Sequence, residues 1–173
     1  VTDYVEADEM ELPGYHPRME PEPSHVAKAA ELLNRAERPV IIAGRGVIVS
    51  QALEELKELA ETCQAPVVHT MLGLGSFPPQ HDLDLGMLGH HGTVAANRAV
   101  QNADLVLAVG TRLGDRATMR TRDFAPKAVV VHVDIEPAEI GKNVAAFASV
   151  VGDAKTVLRR LLPMAEAKER PGW

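Results

Sequence analysis

The chain has 173 residues, 46% of them hydrophobic and 24% charged, enough for one domain with a substantial core and few for two. Aromatic residues make up 3% and the net charge is −6, so stacking platforms for single-stranded nucleic acid and a field that draws in phosphate backbones are both missing. Cys63 is the one cysteine, which excludes an internal disulfide and a cysteine cage for zinc.

No apolar run approaches the roughly 18–20 residues of a membrane span, and Val1 to Glu6 carry no signal pattern and no initiator Met. A piece of a longer cytoplasmic protein is the expectation. Residues 1–23 alternate acidic residues with prolines at 13, 17, 21 and 23, and read either as a disordered tail or as an extended interdomain linker.

From Ser24, a plausible N-cap, Val26, Ala29, Ala30 and Leu33 repeat at helical spacing. Pro39 to Ala43 is a buried strand ending at Gly44-Arg45-Gly46. Ser50 is placed to cap a helix with Leu53, Leu56, Leu59 and Ala60 inside. Pro66 to Thr70 is a second strand, followed by the glycine-bearing stretch Met71 to Gly75.

Leu85 to Leu88 forms a short strand, and Thr93 to Asn102 a helix. Leu105 to Val109 and Ala128 to Val133 are strands closed by Gly110 and Asp134. Pro137 to Gly141 suggests a helical turn. Ser149 to Val151 is the last strand, and Asp153 caps a helix with Val157, Leu158, Leu161, Leu162 and Ala165 on its inner face. Lys168 to Trp173 show no pattern, so the domain spans 24–167 and 168–173 is a tail.

Continuous Val/Leu/Ile/Ala strands alternating with helices predict an α/β fold, a Rossmann-like doubly wound parallel sheet of about six strands with helices on both faces. Ligands in such sheets sit beyond the carboxyl ends of the strands. There lie Gly44-Arg45-Gly46, Thr70 to Gly73, Gly89 to Gly92, Gly110-Thr111-Arg112, Asp134-Ile135-Glu136 and Gly152-Asp153. Glycines that admit a ligand to the backbone, arginines at 45 and 112, and an acidic residue suited to ribose hydroxyls fit a nucleotide along this edge.

Strand-to-helix turns also need glycine for sterics alone. Val49 stands where the dinucleotide fingerprint needs its third glycine, and there is no P-loop and no Gly-x-Ser-x-Gly elbow. His90 and His91 have no Cys, Asp or Glu at ligand spacing, so no metal site is assigned. Asp115 and Arg116, just beyond a strand, read either as a local ion pair or as presenting a substrate-facing arginine.

Several stretches together resemble the central domain of the acetolactate synthase large subunit family, among thiamine-diphosphate enzymes. They are Arg38-Pro-Val-Ile-Ile-Ala-Gly44, Met71-Leu-Gly-Leu-Gly75, Leu85-Gly-Met-Leu-Gly89, His91-Gly92-Thr93, Asp115-Arg116, His132-Val-Asp-Ile-Glu-Pro-Ala-Glu-Ile-Gly-Lys-Asn143 and Gly152-Asp153. The connector with Leu12-Pro-Gly-Tyr15 and Pro17 is similar as well. Arg45, His90 and Leu113-Gly114 depart from the family pattern, where glycine, methionine and Phe-Asp are common.

The resemblance implies a three-domain parent that joins two pyruvates, or pyruvate and 2-oxobutyrate, with loss of carbon dioxide, in branched-chain amino-acid synthesis. It implies FAD, with no net redox part, on Arg45, Thr70, Met71, Leu88, Gly89, His90, His91, Gly110, Thr111, Arg112, Leu113, Gly114, Asp134, Ile135, Asp153 and Ala154. Asp115 and Arg116 would face the substrate channel. Thiamine diphosphate and magnesium would be bound by the N- and C-terminal domains of the same chain, in a homo-oligomer with a possible regulatory subunit. Open alternatives are another thiamine-diphosphate enzyme (glyoxylate carboligase or an oxo-acid decarboxylase), an NAD-binding domain of similar fold, and a pure assembly module.

Overall fold

A computed structural model describes residues 16–173. Most of the connector, including Leu12 to Tyr15, lies outside the described residues. Helix α1 (Pro23–Arg35) buries Val26, Ala29, Ala30 and Leu33 on one face. Ser24 is not its N-cap: Pro23, with φ already set for a helix, occupies the first turn and Glu22 precedes it.

Strand β1 (Pro39–Ala43) is buried along its whole length. It runs straight into a short helix, α2 (Arg45–Val49), which sequence periodicity does not reveal. Ser50 therefore ends α2 rather than starting α3 (Leu53–Cys63), whose N-cap is Ala52. The Ser50 hydroxyl donates to the Val47 carbonyl at 3.3 Å.

Strands β2 (Val67–His69) and β3 (Asp84–Met87) follow, with a 3₁₀ turn over Met71–Gly73 between them. Helix α4 (Val94–Asn102) is capped by Thr93, whose Oγ1 accepts from the Ala96 N–H at 3.0 Å. Then come β4 (Leu105–Val109), the one-turn α5 (Asp115–Thr118), β5 (Val129–Asp134), β6 (Ala148–Val151) and α6 (Ala154–Leu161). Asp153 caps α6 as expected, accepting from the Thr156 N–H at 3.0 Å.

All six strands are parallel, in the order β3-β2-β1-β4-β5-β6. Alternate strand residues face opposite layers. Ile41, Ala43, Leu107, Val109, Val131 and Val133 pack with residues of α1, α2, α3 and α6. Val40, Ile42, Val68, Val106, Ala108 and Val130 pack with Ala96 and Val100 of α4 and with Leu113, Phe124 and Ala125. No described helix is long and apolar enough to cross a membrane.

Residues at both ends of the described chain fold back onto the domain. Glu20 pairs with Arg160 at 2.6 Å, and the Met19 carbonyl accepts from the Asp153 N–H at 3.0 Å. Beyond α6, Lys168 reaches Glu37 at 2.7 Å, Arg170 bonds the Cys63 and Ala36 carbonyls, and the Trp173 indole donates to the Pro39 carbonyl at 2.8 Å. These contacts join residues more than 100 apart in the chain through ion pairs and single hydrogen bonds, which leaves no periodic trace in the sequence.

Candidate nucleotide site

The strand order reverses between β1 and β4, the switch point at which a doubly wound sheet opens a crevice. Here the loops after those two strands are zipped together. The N–H of Gly44 donates to the Val109 carbonyl at 2.9 Å, and that of Gly46 to the Gly110 carbonyl at 2.9 Å. A Cβ on Gly46 would stand 2.6 Å from the Gly110 Cα, and one on Gly44 would collide with the Gly110 carbonyl. Glycine at 44, 46 and 110 is thus required by chain meeting chain. Gly73, Gly89 and Gly92 are likewise filled by backbone, from Ala43, Arg116 and Met87. Only Gly114 among the glycines lining the cavity has room, its nearest neighbour being Arg112 Nε at 3.8 Å.

With the β1/β4 gap closed, the crevice opens beside it, over β2 and β3. It is a cavity of about 750 Å³. Thr70, Met71 and Leu72 form one wall, Met87, Leu88, His90 and His91 a second, and Gly110, Thr111, Arg112 and Gly114 to Ala117 a third. Arg45 stands at the rim from the first turn of α2. A smaller cavity of about 460 Å³, lined by His90, Asp115, Arg116, Met119 and Arg120, adjoins it and shares three of its residues.

The walls are held by side chains that do not enter the cavity. Asn97 on α4 accepts from the Gly89 N–H at 3.1 Å and donates to the Gly89 carbonyl at 3.1 Å, fixing the turn after β3. The His90 N–H donates to the Arg116 carbonyl at 3.1 Å, tying that turn to α5. Buried His69 contacts Asp84 at 2.8 Å and Gly73 O and Ser76 Oγ at 3.2 Å, bracing the turn after β2. The His90 and His91 rings meet edge to face, centroids 5.0 Å apart.

Electrostatics set this cavity apart from the rest of the molecule. In a chain of net charge −6, it carries three guanidinium groups, Arg45, Arg112 and Arg116, against one carboxylate, Asp115. None of the three arginines is in an ion pair among the described residues. Asp115 Oδ1 accepts from the Arg116 backbone N–H at 2.9 Å, so its charge is engaged at the start of α5. Glu139, further along the same edge, has its carboxyl held below the usual range first by Lys142, with a smaller part from Arg112. The donors left over suit a phosphate or carboxylate.

Most residues marked in the sequence for a cofactor line this cavity: Arg45, Thr70, Met71, Leu88, His90, His91, Gly110, Thr111, Arg112 and Gly114. Asp115 and Arg116 line both cavities, as does His90. Gly89 packs against Arg116 and Ala117. The Leu113 side chain is fully buried in the α4-side core. Asp134 and Ile135 lie at the end of β5, where the Asp134 carboxylate accepts from the Glu136 N–H at 2.9 Å. Asp153 and Ala154 follow β6, the former as a cap and the latter buried. These four lie outside the cavity lining, on the same edge, the first pair one strand beyond β4 and the second pair two.

Comparison with known proteins gives the family. The sequence model of the family described as thiamine pyrophosphate enzyme, central domain, matches residues 26–161. The chain is 52% identical over 167 residues to the probable acetolactate synthase large subunit of Methanocaldococcus jannaschii, covering 95% of this chain and 28% of that protein. It is 49% identical over 163 residues to the acetolactate synthase of Mycobacterium bovis, covering 94% and 26%. With the acetolactate synthase large subunit of Corynebacterium glutamicum the identity is 44% over 167 residues, covering 96% and 27%. The chain therefore spans little more than a quarter of the length of these relatives.

Proposed function

The chain belongs to the thiamine pyrophosphate enzyme central domain family, and from that premise we propose that it is the nucleotide-binding central domain of an acetolactate synthase large subunit. Its cavity would take FAD. The observation that carries this reading is the concentration of three guanidinium groups, without an ion pair among the described residues, in one apolar-walled cavity of an acidic chain.

The residues present fit that cofactor. A volume of about 750 Å³ lies within the usual range of ligand sites, roughly 300–1,000 Å³. Arg112 and Arg45 are placed to meet a diphosphate, and Met71, Leu72, Met87 and Leu88 offer apolar surface to a flat ring. The open face of Gly114 lets a ligand come close to the chain. Asp134 and Asp153, further along the edge, are acceptors for ribose hydroxyls. FAD would supply a fixed scaffold rather than electrons to the net reaction. Arg112 would hold its phosphates, while Arg116 and Asp115, shared with the adjoining cavity, would face the 2-oxo acid.

The parent reaction on this reading is the decarboxylating condensation of pyruvate with a second pyruvate or with 2-oxobutyrate. Thiamine diphosphate and magnesium would be held by the parts of the parent outside these 173 residues, which the length of the relatives supports. Melting of the full-length protein, purified free of nucleotide, tests the site. FAD and ADP should each raise Tm, because they bind only the folded state. A rise with NAD, and none with FAD or ADP, would favour a dehydrogenase-type site instead.

A further inference from the structure

The turn that carries Arg112 is held by two residues outside the cavity lining. Buried His132, on β5, approaches the Thr111 carbonyl with Nε2 at 2.7 Å. A carbonyl only accepts, so Nε2 carries the proton, and Nδ1 faces the Gly141 N–H at 3.4 Å as acceptor. Asn143, exposed on the loop between β5 and β6, donates from Nδ2 to the Arg112 carbonyl at 2.7 Å. Two consecutive carbonyls of the cavity wall are thus taken, one by strand β5 and one by the loop that follows it, and His132 also holds that loop through the Gly141 N–H.

The rest of the turn completes the arrangement. Gly110 and Leu113 both have positive φ, 58° and 48°, with the Leu113 side chain anchored in the core. Thr111 Oγ1 accepts from the Leu113 N–H at 3.3 Å. With its neighbours pinned and its own carbonyl held by Asn143, Arg112 has its exposed side chain on the cavity side.

We propose that His132 and Asn143 are positioning residues for the bound nucleotide, acting through the Thr111 and Arg112 carbonyls to aim the Arg112 guanidinium. The inference rests on the reading of the cavity as a nucleotide site. A guanidinium that must search for its anion loses part of its binding energy to ordering, and a preformed turn removes that cost. His132 is buried, so its replacement puts folding at risk. Asn143 is exposed and makes the cleaner probe.

The test is a double-mutant cycle in the full-length protein, with FAD and ADP affinities measured for wild type, Asn143→Ala, Arg112→Ala and the double variant, and Tm measured without nucleotide. Asn143→Ala should weaken both ligands about tenfold, roughly the loss of one hydrogen bond's worth of positioning, with little change in nucleotide-free Tm. In the Arg112→Ala background the same substitution should change affinity less than about twofold, since nothing is left to aim. A purely structural role would lower Tm and act equally in both backgrounds, which would overturn the proposal. Unchanged affinity in Asn143→Ala, with Arg112→Ala still weakened, would overturn it while leaving the nucleotide site intact. Unchanged affinity in Arg112→Ala itself would remove the site and the positioning role together.

Discussion

The N–H of Gly46 donates to the carbonyl of Gly110 at 2.9 Å, with the two chains so close that a Cβ on either glycine would strike the other's backbone. That contact closes the gap directly over the switch point. It moves the crevice sideways over β2 and β3, where Arg112 and Arg116 can face Met71 and Leu88.

Two glycines of the same turn should therefore respond oppositely to substitution. Gly110→Ala needs φ of +58° and puts its Cβ 2.6 Å from the Gly46 Cα. Left-handed strain and a backbone collision together should cost about 3 kcal/mol or more. Gly114→Ala, at φ −70° with its nearest neighbour 3.8 Å away, should change stability by less than about 0.5 kcal/mol. Urea unfolding followed by Trp173 fluorescence distinguishes them, and equal losses would contradict the packing account.

Cys63 gives a stability signature at alkaline pH. Burial pushes its thiol up to about 11 from 9.0, against a smaller opposing effect of Arg170. A group whose folded pKa is raised contributes its stability below the unfolded value and loses it as pH rises through the folded one. Stability should thus fall between about pH 9 and 11, and Cys63→Ala should flatten that part of the curve. Unfolding at a series of pH values checks it, and parallel curves for the two proteins would be the contrary result.

A polypeptide of residues 1–173 alone should form no acetolactate from pyruvate. Among the described residues no group of three or more His, Cys, Asp or Glu is placed to hold a metal ion for a diphosphate. Acetolactate above a no-protein control would overturn the division of labour between this domain and the rest of the parent.

Where the sequence was legible, one local rule dominated. Pro39–Ala43 and Leu105–Val109 read as buried strands because every position is apolar, and Asp153 reads as a cap because the apolar period begins just after it. Arg45–Val49 was illegible because Val47, Ile48 and Val49 favour extended chain, while its start is fixed by the Gly44 and Gly46 N–H groups donating to the Val109 and Gly110 carbonyls at the end of β4. Ser24 and Ser50 have cap chemistry, but Pro23 and α2 occupy the positions it would need.

The site divides in the same way. Arg45, Arg112 and Arg116 were visible as charges just past strands. Asn97, His132 and Asn143 were not, because they act on backbone 8, 21 and 31 residues away. The glycines were visible for a mixed reason: most of them serve contacts between turns, and Gly114 alone among those at the cavity has open space beside it.

The division between Arg112 and Arg116 carries the central claim, that a nucleotide occupies the larger cavity while the adjoining one serves the 2-oxo acid. Arg112 lines the first cavity alone, whereas Arg116 lines both. Flavin-fluorescence titration of full-length Arg112→Ala and Arg116→Ala tests it directly. Arg112→Ala should bind FAD at least about tenfold more weakly, the loss of a charge-assisted phosphate contact, and Arg116→Ala should bind it within about twofold of wild type. Equal loss of FAD in both variants, or no loss in Arg112→Ala, would contradict the account.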